Sequence, residues 1–93
     1  MKQHEAETIA LNVLSFLLSE EERRERFMTL SGIDPQLLGD NVAEPAFLAG
    51  ILDYLLQDET LIYVFCDEYN ATPDCPARAR RSLVGNDDHG GYN

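Results

Sequence analysis

The chain contains 93 residues, which is the length of one small domain. Hydrophobic residues make up 44% of it, and this share excludes disorder over most of its length. Seventeen acidic residues against seven basic ones give a formal net charge of −10, which disfavours binding to nucleic acid or to anionic lipid. No uninterrupted run of about 18 apolar residues is present, so we expect no transmembrane helix.

The first residues and the cysteines indicate the cellular compartment of the protein. Glu5 and Glu7 stand where a secretory signal would carry basic residues, so we predict a cytoplasmic protein. Cys66 and Cys75 are the only cysteines, and two thiols in that compartment are expected to be reduced rather than bridged.

The first two predicted helices form a hairpin. A polar stripe at helical spacing among the apolar residues of 5–18 predicts an amphipathic helix there. Ser19 followed by Glu22 fits a capping box, in which each side chain bonds the backbone N–H of the other residue. The second helix is expected to run to about Ser31 and to end at Gly32, because glycine readily adopts a left-handed conformation.

The later helices begin at aspartate or proline. Asp34-Pro35 predicts a short helix that 39–41 break, and Pro45 predicts the start of a helix that extends to Gln57. Asp58 is predicted to cap a fifth helix over 59–69, with Asn70 as its end. Thr72-Pro73 or Asp74-Cys75-Pro76 opens a last helix to about Leu83, and 85–93 is expected to be a flexible tail.

The chain matches itself when it is shifted by 38 residues. Val13–Leu18 then lies on Ile51–Leu56, and Gly32 lies on Asn70, the two predicted helix ends. We therefore predict a single helical domain over 1–84, built from two helical-hairpin repeats at about 10–37 and 48–75.

The second helices of the two units differ in polarity. The one after Ser19 is polar over most of its surface, whereas the one over 59–69 is apolar nearly all round, so we expect 59–69 to be the central helix. The predicted core contains Val13, Leu14, Leu17, Phe27, Leu30, Phe47, Ile51, Leu52, Leu55, Leu61, Ile62 and Phe65.

Several segments together resemble a known family. They are the hydrophobic first helix, Phe27 with Gly32-Ile33-Asp34-Pro35, Pro45-Ala46-Phe47-Leu48, Asp58-Glu59 with Phe65-Cys66, and Pro76-Ala77-Arg78-Ala79. In their order and spacing, over about residues 5 to 84, the chain resembles the DUF3572 family of small bacterial proteins. The resemblance implies a bacterial cytoplasmic protein, and it implies no particular activity, cofactor or partner.

Few residues are of a type that carries chemistry. Cys66 and Cys75 could be a redox pair, but a buried apolar role for Cys66 and an incidental first-turn position for Cys75 are the favoured interpretation. His4 and His89 have no partner at a metal-ligand spacing, so no metal is expected. Cys75, His89 and Asp74 could form a catalytic set only if packed structure held them together. No cofactor-binding motif is present, and we expect no cofactor.

Six of the seven basic residues are arginines, and they form two clusters: Arg23, Arg24 and Arg26, then Arg78, Arg80 and Arg81. The first cluster is expected to pair with nearby acids, Glu20 with Arg24 and Glu22 with Arg26. The second cluster has fewer acids near it in sequence. Because guanidinium groups suit carboxylates and phosphates, we predict that Arg78, Arg80 and Arg81 contact a partner.

These patterns predict an all-α protein, a compact bundle of five to six helices made of two helical-hairpin repeats. The sequence identifies no activity. We predict a non-enzymatic protein-protein interaction or regulatory module whose partner is another protein rather than nucleic acid or membrane. The alternative is a small enzyme or ligand-binding protein with its site in the groove between the two helical units. Homodimerisation is a further possibility, because a small domain gains stability by burying more surface.

Overall fold

The chain folds into an all-α bundle, as predicted. A computed structural model describes residues 1–34, 36 and 38–92, with side chains described as far as Leu83. The helices are α1 (Gln3–Leu18), α2 (Glu21–Ser31), α3 (Leu38–Asn41), α4 (Pro45–Leu56), α5 (Glu59–Tyr69) and α6 (Cys75–Tyr92). No strand occurs in the described residues. The tail predicted over 85–93 lies outside the residues that are described in full.

The centre of the bundle consists of α1, α4 and α6, which pack against one another. α1 buries six residues and α4 buries five, most of them large and apolar. Ala79 of α6 is fully buried, and a side chain this small lets neighbouring helices approach closely. α2 packs on α1 and α5 packs on α4, so these two helices lie outside the central three.

The prediction that 59–69 forms the central helix is therefore wrong. α5 buries only Phe65 and Cys66, and Tyr63 on the same helix is 55% exposed. A helix that is apolar nearly all round can still turn only one stripe toward a neighbour. α4 takes the central place because Leu48, Leu52 and Leu55 all face the core.

The predicted core is confirmed in large part. Phe47, Leu61 and Ile62 are half-buried against the core cluster, while Leu30 is 64% exposed and was wrongly assigned to it. Phe16 is also fully buried but was not among the predicted core residues. The predicted residues that are buried are Val13, Leu14, Leu17, Phe27, Ile51, Leu52, Leu55 and Phe65.

The predicted ends of α2 and α5 are confirmed. Gly32 has φ of 70° and its N–H donates to the Met28 carbonyl, while Asn70 has φ of 55° and caps α5 in the same way. Asp58 caps α5 as predicted, since its carboxylate accepts a hydrogen bond from the Leu61 N–H at 3.2 Å. α6 begins at Cys75, which selects the second of the two predicted starts. The duplication of 10–37 and 48–75 stays a prediction.

Two local predictions are wrong. Ser19 makes no capping bond to α2, because its hydroxyl donates to the Phe16 carbonyl at 2.8 Å and accepts from Arg23. α3 spans Leu38–Asn41, so 39–41 do not break the helix. Asp34 accepts a hydrogen bond from the Gln36 N–H at 2.9 Å, which is the bond expected of a capping aspartate. At Ser19, the bond to the Phe16 carbonyl competes with the predicted helix cap.

Substitutions at two glycines, Gly32 at the end of α2 and Gly50 inside α4, test the left-handed conformation at the end of α2. A Cβ added at Gly32 or at Gly50 would meet no atom within 4 Å, so neither substitution causes a clash. Gly32→Ala should still lower the free energy of unfolding by about 1–2 kcal/mol, because an L side chain is strained at positive φ. Gly50→Ala, inside α4, should raise it by about 0.5–1 kcal/mol. Urea unfolding measures both, and equal signs would contradict the left-handed end at Gly32.

Candidate functional site

A groove lies between α2 and α4. Both helices flank α1, and this arrangement leaves a space of about 560 Å³ between them. Phe27 from α2 and Tyr54 from α4 meet edge to face across it, with ring centroids 5.0 Å apart and planes at 75°. Ile51 and Phe47 continue the apolar lining along α4. An open volume of this size is in the range that binding sites occupy.

Leu30 stands at the edge of this groove and is the most exposed large apolar residue of the described chain. It is 64% exposed, compared with 41% for Leu11 on α1. Single exposed leucines are common on protein surfaces. Leu30 differs because it adjoins an aromatic floor, so that a partner could cover several apolar side chains at once.

Two smaller depressions, each of about 270 Å³, extend the groove along α2 toward the turn between α4 and α5. Tyr54 lines all three spaces, so they form one continuous surface. We call this surface the α2–α4 groove. Its charged lining residues are Glu20, Glu22, Asp53, Asp58, Glu59, Arg23 and Arg26.

The rim of the α2–α4 groove is acidic: Asp53 is paired with Arg80, and the four other carboxylates stand against two arginines. One of the two, Arg23, is already engaged in the fold. Its guanidinium lies 3.9 Å from the centroid of the Phe16 ring, and its Nε donates to the Phe16 carbonyl at 3.1 Å. It also lies 3.9 Å from both Glu20 and Glu68, so Arg23 joins α2 to α1 and α5.

The predicted pairs in the first arginine cluster do not form. Neither Glu20 with Arg24 nor Glu22 with Arg26 is within ion-pair distance in the described residues, where Arg23 takes Glu20 instead. The reason is tertiary: the Phe16 ring and carbonyl hold Arg23 in place at 12% exposure beside that acid. The spacing of charged residues along α2 does not predict the contact between Arg23 and Phe16 of α1.

The three arginines predicted as a partner contact have different surroundings. Arg80 forms a bidentate ion pair with Asp53, with Nε–Oδ1 of 2.6 Å and Nη2–Oδ2 of 3.1 Å, which links α6 to the α4 wall of the groove. Arg78 lies 3.7 Å from Asp74 and is half exposed. Arg81 is exposed. Their contact with a partner stays a prediction.

The cysteines lie at the corner between α5 and α6, outside the α2–α4 groove. Cys66 is 7% exposed and Cys75 is half-buried. Burial raises the pKa of both thiols above the ordinary range, although Arg78 works in the opposite direction on Cys75. A hydrogen bond from Thr72 lowers the pKa of the exposed Asp74. The high thiol pKa values do not favour a catalytic thiolate at neutral pH.

The histidines do not complete a site in the described part of the chain. His4 is exposed at the start of α1, and the side chain of His89 lies outside the described residues, so the set of Cys75, His89 and Asp74 stays a prediction. Among the residues described, no group of three or more histidine, cysteine or acidic side chains could hold a metal ion. None of the described helices has the length and apolar character needed to cross a bilayer.

The helices and the groove define a small all-α bundle with an apolar cleft on its surface. The chain belongs to the family described as "Protein of unknown function (DUF3572)", whose model matches residues 3–86. The resemblance found from the sequence is thereby confirmed. No curated protein and no solved structure matches the chain.

Proposed function

We propose that this protein is a non-enzymatic interaction module that binds an amphipathic helix of another protein in the α2–α4 groove. The observation that carries the proposal is Leu30, an exposed leucine beside the aromatic floor of Phe27 and Tyr54. Helical partners of this kind insert apolar side chains, spaced one helical turn apart, into such grooves. Covering Leu30 and half-buried Phe47 would supply the apolar contact.

Charge indicates the polar face of that helix. The excess of carboxylates on the groove rim and a chain charge of −10 attract lysine and arginine and repel acidic segments. We therefore propose a partner whose helix has leucine or phenylalanine on one face and basic residues beside them. The same charge supports the proposal that nucleic acid and anionic membranes are not ligands. The family and the acidic residues Glu5 and Glu7 support the proposal that the protein acts in a bacterial cytoplasm.

A peptide titration tests the proposal. Two helical peptides carry the same leucines, with lysines on the polar face of one and glutamates on that of the other. We expect the lysine peptide to bind, with backbone NMR shift changes on the groove side of α2 and α4, and the glutamate peptide to bind at least tenfold more weakly. Leu30→Asp should weaken binding of the lysine peptide by more than tenfold, because a buried apolar anchor contributes more than 1.4 kcal/mol.

Leu11→Asp is the matched control, since it replaces an exposed leucine on α1 and adds the same charge. Each variant makes the protein more acidic, so a loss confined to Leu30→Asp cannot arise from weaker electrostatic attraction. Equal losses in both variants, equal affinity for both peptides, or shifts spread over the whole surface would contradict the proposal.

A second copy of the chain is the other protein that could occupy the groove. Sedimentation of the wild-type protein and of Leu30→Asp distinguishes this case. A wild-type monomer agrees with binding of a different protein, whereas a dimer that Leu30→Asp dissociates would assign the groove to self-association. Arg78 and Arg81, the more exposed residues of the second arginine cluster, lie on α6 and are proposed as a separate partner contact.

The volume of the groove supports a small-molecule site as the second candidate function. About 560 Å³ is enough for a metabolite, and Asp53, Tyr54 and Gln57 supply polar groups at its edge. Among the described hydrogen bonds and ion pairs, Arg80 is the one last-helix arginine bonded to this part of α4. None of them joins Cys75 to it. A ligand that raises the melting temperature of the wild-type protein but not of Phe47→Ala would favour this candidate.

A further inference from the structure

The two cysteines share a hydrogen-bond acceptor. Cys66 lies in the last turn of α5 and Cys75 is the first residue of α6. The Thr72 carbonyl oxygen accepts from the Cys66 thiol at 3.3 Å and from the Cys75 backbone N–H at 2.9 Å. Because both atoms contact one oxygen, the Cys66 sulfur lies no farther from the Cys75 nitrogen than these two distances together.

The two thiols differ in their access to solvent. Cys66 is almost fully covered, whereas Cys75 is partly open to solvent. The chain contains no third cysteine, so only one intramolecular pairing exists.

We propose that Cys66 and Cys75 form an oxidisable dithiol site that closes to an intramolecular disulfide on reaction with a low-molecular-weight disulfide. The Cys75 thiol loses its proton to solvent, and its sulfur attacks one sulfur of the oxidant, forms a mixed disulfide and releases one small thiolate. The Cys66 thiol then loses its proton to solvent, and its sulfur attacks the Cys75 sulfur and displaces the second small thiolate. Each released thiolate takes up one proton from solvent. Two protein thiols are oxidised, and one small disulfide is reduced to two thiols.

Closure requires the turn between the two cysteines to bring their sulfurs into contact. A disulfide needs its two Cα atoms about 4.4–6.8 Å apart, and any adjustment falls on the turn at 72–74, whose residues are all exposed. Closure would join the end of α5 directly to the start of α6. Because α6 packs in the centre of the bundle, the disulfide would attach the peripheral α5 to the core at a second point.

Mass spectrometry of the full chain treated with excess oxidised glutathione tests the proposal. The expected product is lighter than the reduced chain by two hydrogen atoms and takes up no N-ethylmaleimide. Cleavage after Glu68 should leave two peptides that separate only on reduction, since Glu68 lies between the two cysteines. A wild-type chain that ends as a glutathione adduct, or as a disulfide-linked dimer, would overturn the proposal.

Two variants establish the order of attack. Cys66→Ala should stop at a stable glutathione adduct on Cys75, because no second thiol is present to displace it. Cys75→Ala should leave the covered Cys66 unmodified over the time in which the wild-type chain reacts fully. Circular dichroism checks that each variant is folded, and Cys66→Val replaces Cys66→Ala if the alanine variant unfolds. Faster modification of Cys66 than of Cys75 would contradict the proposed order.

Discussion

Phe16→Ala should lower the free energy of unfolding by about 3–5 kcal/mol, the cost of removing a large aromatic residue from a packed core. Phe16 is fully buried. Its ring meets Phe65 edge to face at 5.4 Å and Tyr69 at 6.4 Å, and the Arg23 guanidinium covers it at 3.9 Å. The substitution therefore leaves a cavity and removes the aromatic surface that holds α2 and α5 on α1.

Urea unfolding followed by circular dichroism measures this loss. Leu11→Ala, on the exposed side of the same helix, is the control and should change the free energy by less than about 0.5 kcal/mol. A domain of this length has only about 5–14 kcal/mol of stability, so Phe16→Ala is at risk of unfolding. Phe16→Leu keeps most of the volume and should cost about 1.5 kcal/mol. Equal effects of Phe16→Ala and Leu11→Ala would refute the packing described.

Leu52→Ala should lower the free energy of unfolding by about 2–5 kcal/mol, whereas Leu61→Ala should lower it by only about 1 kcal/mol. Both substitutions remove the same atoms from a leucine in a helix, Leu52 in the middle of α4 and Leu61 in the first turn of α5. Leu52 is fully buried on α4, between α1 and α6, whereas Leu61 is half-buried on α5. The difference follows from how many neighbours each side chain loses.

This pair decides which helix is central. If 59–69 were the central helix, as predicted from the sequence, Leu61→Ala would cause the larger loss in free energy of unfolding. The observed fold predicts the larger loss for Leu52→Ala. Equilibrium unfolding of the two variants beside the wild-type chain is sufficient, provided that the denaturant dependence of the free energy is the same in all three. A larger loss in free energy of unfolding for Leu61→Ala than for Leu52→Ala would contradict the central position of α4.

The candidate site was predictable only in outline. A groove between two helical units was expected, and the structure has a groove between α2 and α4, while the two units stay a prediction. Leu30 was wrongly assigned to the core. It lies three positions after buried Phe27, on nearly the same helix face. Whether such a position is covered depends on where the next helix lies. α4 meets Phe27 through Tyr54 and leaves Leu30 uncovered.

The partners of the arginines were likewise not predictable from sequence spacing. Pairs four residues apart were predicted in α2, but the acceptors that hold Arg23 include the Phe16 carbonyl and Glu68, which belong to other helices. Arg80 likewise pairs with Asp53, 27 positions earlier in the chain. A guanidinium on a long side chain can reach several acids, and the packing of the helices decides which of them is close.

The amino-acid sequence by itself determined the helical class, the family, and most helix boundaries, since these depend on local chemistry. Proline at Pro45, the carboxylate of Asp58 and the left-handed residues Gly32 and Asn70 act within one helical turn. Only the tertiary structure decided that α4 is central, that Leu30 is exposed and that both cysteines meet at Thr72. Those outcomes depend on which faces of distant helices pack together, and residue spacing along one helix does not specify that choice.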